Sequence, residues 1–293
     1  MYDSIGCKKF TKLRKFIDHT FHFISGLPRS GSTLLSAILK QNPRIHASMS
    51  SPIGHIFRAI FNAMGADNEF SIFLNETQKK ALLESVFNAY YGSMDDPREV
   101  IFDTNRLWTT RLATLQQLFP NSKVICCVRN PAWILDSVEQ LIRKNALDNS
   151  KLFSQADAAT VYSRADALQR RDRMIGFAWS ALKEAYFGEH ADKLLLVEYD
   201  LLVSRPKETI DLIYQFVGEE KFEHDFDNVE YEAEDFDAFM HTKGLHSVRK
   251  KVEFRPRDTV LPPDLFQQYA ALQFWNEKHP TRANRITVQA TKE

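Results

Sequence analysis

Phe21-His22-Phe23-Ile24-Ser25-Gly26-Leu27-Pro28-Arg29-Ser30-Gly31-Ser32-Thr33-Leu34-Leu35 is the stretch from which the rest of the chain can be read. Phe21 to Ser25 is a short apolar run closed by Gly26 and Pro28, which is how a buried parallel strand ends. From Ser32 to Lys40 the apolar residues recur at helical spacing. A strand, a tight loop and a helix start together make an anion site. The first helical N–H groups have no partner within the helix, and the helix dipole favours negative charge there. Gly26 and Gly31 allow a sharp turn and close approach of the backbone. Ser30, Ser32 and Thr33 add hydroxyl donors.

The same strand-and-helix alternation continues along the chain. Strands are predicted at Arg98–Asp103, Lys123–Arg129 and Lys193–Asp200, with a shorter extended segment at Ile45–Ile53. Helices are predicted at 54–64, 76–90, 107–119, 130–144, 174–187, 206–217 and 263–279. This pattern predicts an α/β fold: a P-loop-like parallel sheet flanked by helices on both faces, in one domain over 1–293 with its core at about 21–280. The lead-in Met1–Thr20, with Lys8, Lys9, Lys12, Arg14 and Lys15, is expected to be peripheral. The polar tail from Ala283 to Glu293 is expected to fray.

Composition narrows the function. The chain has 293 residues, with 38 basic and 38 acidic side chains and no formal net charge. No global field draws it to nucleic acid or to an anionic membrane, so any anion site is local. Its three cysteines, Cys7, Cys126 and Cys127, form neither a disulfide framework nor a zinc pattern, and a reducing compartment suits them. No run approaches the roughly 20 apolar residues of a membrane span.

The spacing Gly26-x4-Gly31 is that of a Walker A loop, but Ser32 stands where a nucleotide triphosphatase carries Lys. The cation is inside the loop, at Arg29. GLPRSGSTLL resembles the 5′-phosphosulfate loop (Pro28, Arg29, Ser30, Gly31, Ser32, Thr33) of sulfotransferases that use 3′-phosphoadenosine-5′-phosphosulfate (PAPS). A second motif agrees. Arg129 ends a strand and Ser137 follows eight positions on, about two helical turns, so both can face the strand end. VRNPAWILDS is similar to the family's 3′-phosphate motif, in which these two grip one phosphate.

The resemblance runs from about Phe21 to Lys251 and is nearest to the tyrosylprotein and bacterial branches. It implies PAPS as cofactor, no metal, and transfer of a sulfuryl group to a hydroxyl or amine of a small molecule, glycan or peptide. It places Tyr199 near the adenine, and Ser247, Arg249 and Lys250 on a late loop closing over the nucleotide. The family's Arg-Lys-Gly signature is not reproduced there, since Lys251 replaces the glycine. Arg29 and Arg106 are the cations expected to assist the leaving oxygen.

The proton acceptor stays open among Asp103, His55 and His246, with Asp103 preferred because it ends a strand at the sheet's mouth. The tyrosylprotein branch has a Glu where this chain has Ser50. Family members of the Golgi usually carry an apolar anchor, so a cytoplasmic enzyme is expected. Monomer and homodimer are both open. The cluster Arg164, Arg170, Arg171 and Arg173 reads either as a lid or as a solvated helix face. Two rival readings remain: a P-loop kinase or ATPase, with Asp103 imitating a Walker B carboxylate, and a non-catalytic PAPS-binding module.

Overall fold

The computed structural model describes residues 19–147, 150–231 and 233–287. Of the expected lead-in only His19 and Thr20 fall among them, so its basic residues lie outside the described part. Six strands form one sheet: β1 (Thr20–Gly26), β2 (Ile45–Ala47), β3 (Val100–Thr104), β4 (Val124–Val128), β5 (Leu194–Glu198) and β6 (Asn284–Arg285). Their order is β2-β3-β1-β4-β5-β6, and every neighbouring pair is parallel.

Among the described residues eleven α-helices accompany them: α1 (Ser32–Leu39), α2 (Ile53–Ala63), α3 (Glu76–Ser93), α4 (Leu112–Leu118), α5 (Pro131–Lys144), α6 (Val161–Gln169), α7 (Met174–Phe187), α8 (Tyr199–Ser204), α9 (Pro206–Val217), α10 (Glu234–Phe239) and α11 (Pro263–Ala270). The two-residue period of the strands divides the core into two layers. Phe23, Cys126, Val128, Leu194 and Leu196 pack under α2 to α7 and α11. Ile24, Phe102, Ile125, Cys127, Leu195 and Val197 pack under α1, α8 and α9. The adjacent Cys126 and Cys127 thus belong to opposite faces, both free and buried.

Several starts follow local rules. The Asn130 side chain accepts from the Ala132 amide at 2.9 Å, and Pro131 opens α5. Asn75 and Gln78 form a reciprocal capping box at α3. Two expectations need correction. Tyr199 does not end β5; it begins α8. The tail does not fray at its start, because Asn284–Arg285 pairs with Leu195–Leu196 as the sixth strand and Ile286 is buried. Side-chain anchors hold this short strand: the Asn284 amide donates to the Asp192 carbonyl at 3.0 Å, and Arg285 grips Trp275, Asn276 and Glu198.

His22 carries a consequence for stability. Its ring lies inside the sheet, 1% exposed, with Nδ1 accepting from the Lys123 amide at 3.2 Å. Burial, and then the positive charge of Lys123, lower its pKa from 6.5 to about 4. Glu219 stands 4.0 Å from Nε2, too far to offset this. The unfolded chain therefore takes up this proton first as pH falls. The stability due to neutral His22 is complete above pH 6.5 and lost on acidification toward pH 4. The expected loss is roughly 3 kcal/mol from this residue. Urea unfolding at pH 7 and pH 4.5 measures it, and His22→Gln should flatten the difference.

Candidate functional site

A cavity of about 1140 Å³ opens over the carboxyl ends of the strands. Its position follows from topology. The chain leaves β1 toward one face of the sheet through α1, and leaves β3 and β4 toward the other through α4 and α5. Such a switch point opens a crevice beside β1.

The loop after β1 forms the floor. Gly26 has φ 101°, and a Cβ there would stand 2.3 Å from the Cys127 carbonyl oxygen. Gly31 has φ 92° and precedes α1, which has no side-chain cap. The first amides of α1 are thus left for a ligand. Arg29 itself has φ 56°, a left-handed conformation unusual for a side-chain-bearing residue. Pro28, Arg29, Gly31, Ser32 and Thr33 line the cavity. Ser30 does not. It is fully buried, and its hydroxyl donates to the Pro28 carbonyl at 3.2 Å, so it shapes the loop rather than the site.

Arg29 and Arg129 face the same cavity from neighbouring strand tips. An Arg129 Nη1 donates to the Arg29 carbonyl at 3.5 Å. The Arg129 guanidinium lies 4.3 Å from the centre of the Tyr199 ring, and Tyr199 is wedged between it and Gly31. The Ser137 hydroxyl reaches this cluster, but it accepts from Arg29 Nε at 3.0 Å rather than pairing with Arg129. Arg29 also donates to the Leu245 carbonyl, tying the loop after β1 to the late segment.

The electrostatics mark an anion site. Burial lowers the pKa of Arg29, and Arg129 and Arg257 push it further down against Tyr199 and Asp237. Burial also lowers that of Arg129, which Arg257 depresses and Tyr199, Asp200 and Asp136 oppose. Arg106 lines the cavity, where enclosure by its walls, then Arg29, lower its pKa to about 10. Arg129 Nε is buried without a hydrogen-bond partner among the described residues. Packed guanidinium groups with an unused donor suit a bisphosphorylated nucleotide, so the residues present fit PAPS.

The late segment is partly as expected. Ser247 and Arg249 line the cavity. Lys250 does not; it is exposed, and its carbonyl accepts from the Val229 amide at 2.7 Å. Sequence reading missed Arg257, which lines the cavity and is fixed by the fully buried Asp136 at 2.6 Å. Asp136 also accepts from Thr259 Oγ1 at 2.9 Å and the Val260 amide at 2.7 Å, strapping the late segment to α5. The signal was present, since Asp136 directly precedes Ser137 and a basic run follows residue 243.

Asp103 is the main correction. Its carboxylate is fully buried and absent from the cavity wall. It accepts from Ser51 Oγ and the Tyr91 hydroxyl, each at 2.5 Å, and from Trp108 Nε1 at 2.8 Å. With three donors committed to it, it is placed neither to take an acceptor's proton nor to hold Mg²⁺ as a Walker B carboxylate does. It sets Ser51, whose hydroxyl also accepts from the Ile53 amide at the start of α2. His55, on α2, is an exposed wall residue with Arg58 3.4 Å from Nδ1. His246 lines the cavity. The arginines read as a lid do not line it: Arg164 forms a two-pronged pair with buried Glu139, and Arg170 one with Asp157.

Similarity to known proteins is found across most of the chain. The model of the sulfotransferase family matches residues 22–224. Protein-tyrosine sulfotransferase 1 of Danio rerio is 24% identical over 201 residues, covering 67% of this chain and 52% of that protein. Protein-tyrosine sulfotransferase 2 of Gallus gallus is 23% identical over 202 residues, covering 67% and 50%. The chain thus spans about half the length of these relatives. Among solved structures, the sulfotransferase domain of the Synechococcus PCC 7002 olefin synthase is similar at 17% identity and a TM-score of 0.47, over 93% of this chain and 100% of that one.

Proposed function

This chain belongs to the sulfotransferase family, and from that premise we propose that it moves a sulfuryl group from PAPS to an acceptor hydroxyl. The observation that carries the reading is the pairing of Arg29 and Arg129 on one cavity, at the tips of the adjacent strands β1 and β4. PAPS supplies an activated sulfuryl group: its S–O bond to the 5′-phosphate breaks with the electron pair leaving on that phosphate, and a new S–O bond forms to the acceptor oxygen.

The chain's own residues meet the demands of that exchange. The α1 amides, Ser32 and Thr33 hold the 5′ end. Arg129 and Arg257 hold the 3′-phosphate, with Ser247 and Arg249 closing over it and Tyr199 beside the adenine. Arg29 and Arg106 place positive charge where the leaving oxygen gains negative charge, and being preorganised they need no rearrangement at that moment.

Met49, Met174, Met240, Leu152 and Phe236 also line the cavity. The carboxylates on the lining, Asp200 and Glu253, belong to the β5 end and the late segment. Such a wall favours an apolar body, a phenol or an alcohol, over a basic peptide, and thioether side chains adapt to its shape.

Adenosine 3′,5′-bisphosphate should raise the melting temperature with EDTA present. At a hundredfold excess over its dissociation constant the gain is about 2.7 kcal/mol, which is several degrees for a chain of this size. Stabilisation by Mg·ATP alone would instead make the protein a kinase or ATPase. Transfer of labelled sulfate to a panel of phenols and alcohols then separates an enzyme from a binding module.

A further inference from the structure

A histidine–carboxylate pair stands on the cavity wall outside the part of the chain that the family model matches. His246 Nδ1 donates to Asp237 Oδ1 at 2.6 Å, and the His246 backbone amide donates to Asp237 Oδ2 at 2.9 Å. Both oxygens of one carboxylate therefore hold one residue, through ring and backbone together. The pair is itself braced. Asp237 is 5% exposed, and its carbonyl accepts from the Thr242 amide at 3.0 Å. Thr242 Oγ1 bonds Ser150 Oγ at 2.7 Å, Asn145 donates to the Lys243 carbonyl at 3.2 Å, and the Phe236 ring packs edge-on against the imidazole at 5.3 Å.

With Nδ1 committed, Nε2 is the nitrogen left for a ligand in the cavity. The charged groups acting on the ring are Asp237 on its own segment, Arg29 from the loop after β1, and Arg106 from the turn after β3. The last two are the cations assigned to the leaving oxygen; Arg29 bonds the carbonyl of Leu245, the residue before His246, and Arg106 and His246 line the same cavity. Asp103, the alternative carboxylate, is sealed by three donors, and among the described residues the His55 ring meets Arg58 rather than a carboxylate.

We propose that His246, fixed by Asp237, is the general base that takes the acceptor's proton. This rests on the sulfotransferase reading above. The acceptor O–H bond breaks, its proton goes to Nε2, and its electron pair forms the new S–O bond. Asp237 fixes the tautomer and steadies the imidazolium, acting as a positioning residue. The protonation state is suitable. Burial lowers the pKa of His246, Arg29 and Arg106 add to that, and Asp237 opposes them, leaving the ring neutral at pH 7.

The test combines spectroscopy with kinetics. Nitrogen-15 NMR of histidine-labelled protein, with His246→Gln supplying the assignment, should show His246 neutral at pH 7 with its proton on Nδ1. Asp237→Asn should abolish that single-tautomer signature and lower the pKa, since a raising partner is lost. In sulfate transfer from labelled PAPS, with water and with phenols as acceptors, His246→Gln should lose about 10²- to 10⁴-fold in kcat. Its stabilisation by adenosine 3′,5′-bisphosphate should match the parent. The acidic limb of the parent's pH profile should move down in Asp237→Asn. A charged His246 at pH 7, a proton on Nε2, or His246→Gln with half the parental turnover would overturn the assignment while leaving the nucleotide site intact. Failure of the parent to bind the bisphosphate would overturn the sulfotransferase reading instead.

Discussion

Arg129→Ala is expected to weaken binding of adenosine 3′,5′-bisphosphate by on the order of a thousandfold. The guanidinium is enclosed, it stands over Tyr199, and its Nε has no protein partner. A phosphate placed there accepts charge-assisted bonds worth roughly 1.5–3 kcal/mol each, and a two-pronged grip makes two of them. Arg129→Lys keeps the charge but not the fork, so its loss should be intermediate. Without ligand, the alanine variant should melt within a few degrees of the parent. It loses the contact with Tyr199 but also removes repulsion toward Arg29 and Arg257. Isothermal titration beside a thermal melt separates the two effects. A Kd within tenfold of the parent would remove Arg129 from the site.

Gly26→Ala should prevent folding. Two penalties coincide there. The left-handed backbone costs a side-chain-bearing residue about 1–2 kcal/mol. Added to that, the new methyl would stand 2.3 Å from the Cys127 carbonyl oxygen and 2.7 Å from its nitrogen, both main-chain atoms of a paired strand. Nothing flexible can yield without separating β1 from β4. Gly218, the left-handed cap after α9, makes the control. Its φ is 79°, yet a methyl there meets nothing within 4 Å. Gly218→Ala should cost only the conformational term, about 1–2 kcal/mol, and remain folded. Soluble expression and circular dichroism distinguish the outcomes, and a cooperative melt from Gly26→Ala close to that of Gly218→Ala would refute this account.

The parts of the site legible in the sequence are those fixed by strand ends. Arg129 ends one apolar run and Arg29 sits in the loop just after another, so a parallel sheet brings both to one edge. Asp103 ends a run as well. What the run could not show was the convergence of Ser51, Tyr91 and Trp108, from three other elements, on its carboxylate. Asp237 was hidden for the opposite reason. It sits among acidic neighbours with no motif to mark it, and only the turn through residues 240–245 folds His246 back onto it. β6 escaped because two polar residues, Asn284 and Arg285, carry no alternation to detect. Their side-chain bonds to the Asp192, Leu194 and Trp275 carbonyls hold them in place.

The strand order also governs how the polypeptide can assemble during synthesis. Among the described strands β1 is translated first, yet it lies in the interior of the sheet between β3 and β4. Thr20 pairs with Val100 and Phe23 with Val124, about eighty and a hundred residues downstream. Both edges of a strongly apolar segment thus wait, unpaired, while much of the chain leaves the ribosome. Closing such long loops is slow, and exposed strands invite misassociation. The nucleotide cradle needs residues as far apart as Arg29 and Arg257, so its ligand can reward a largely assembled fold but cannot guide an early one.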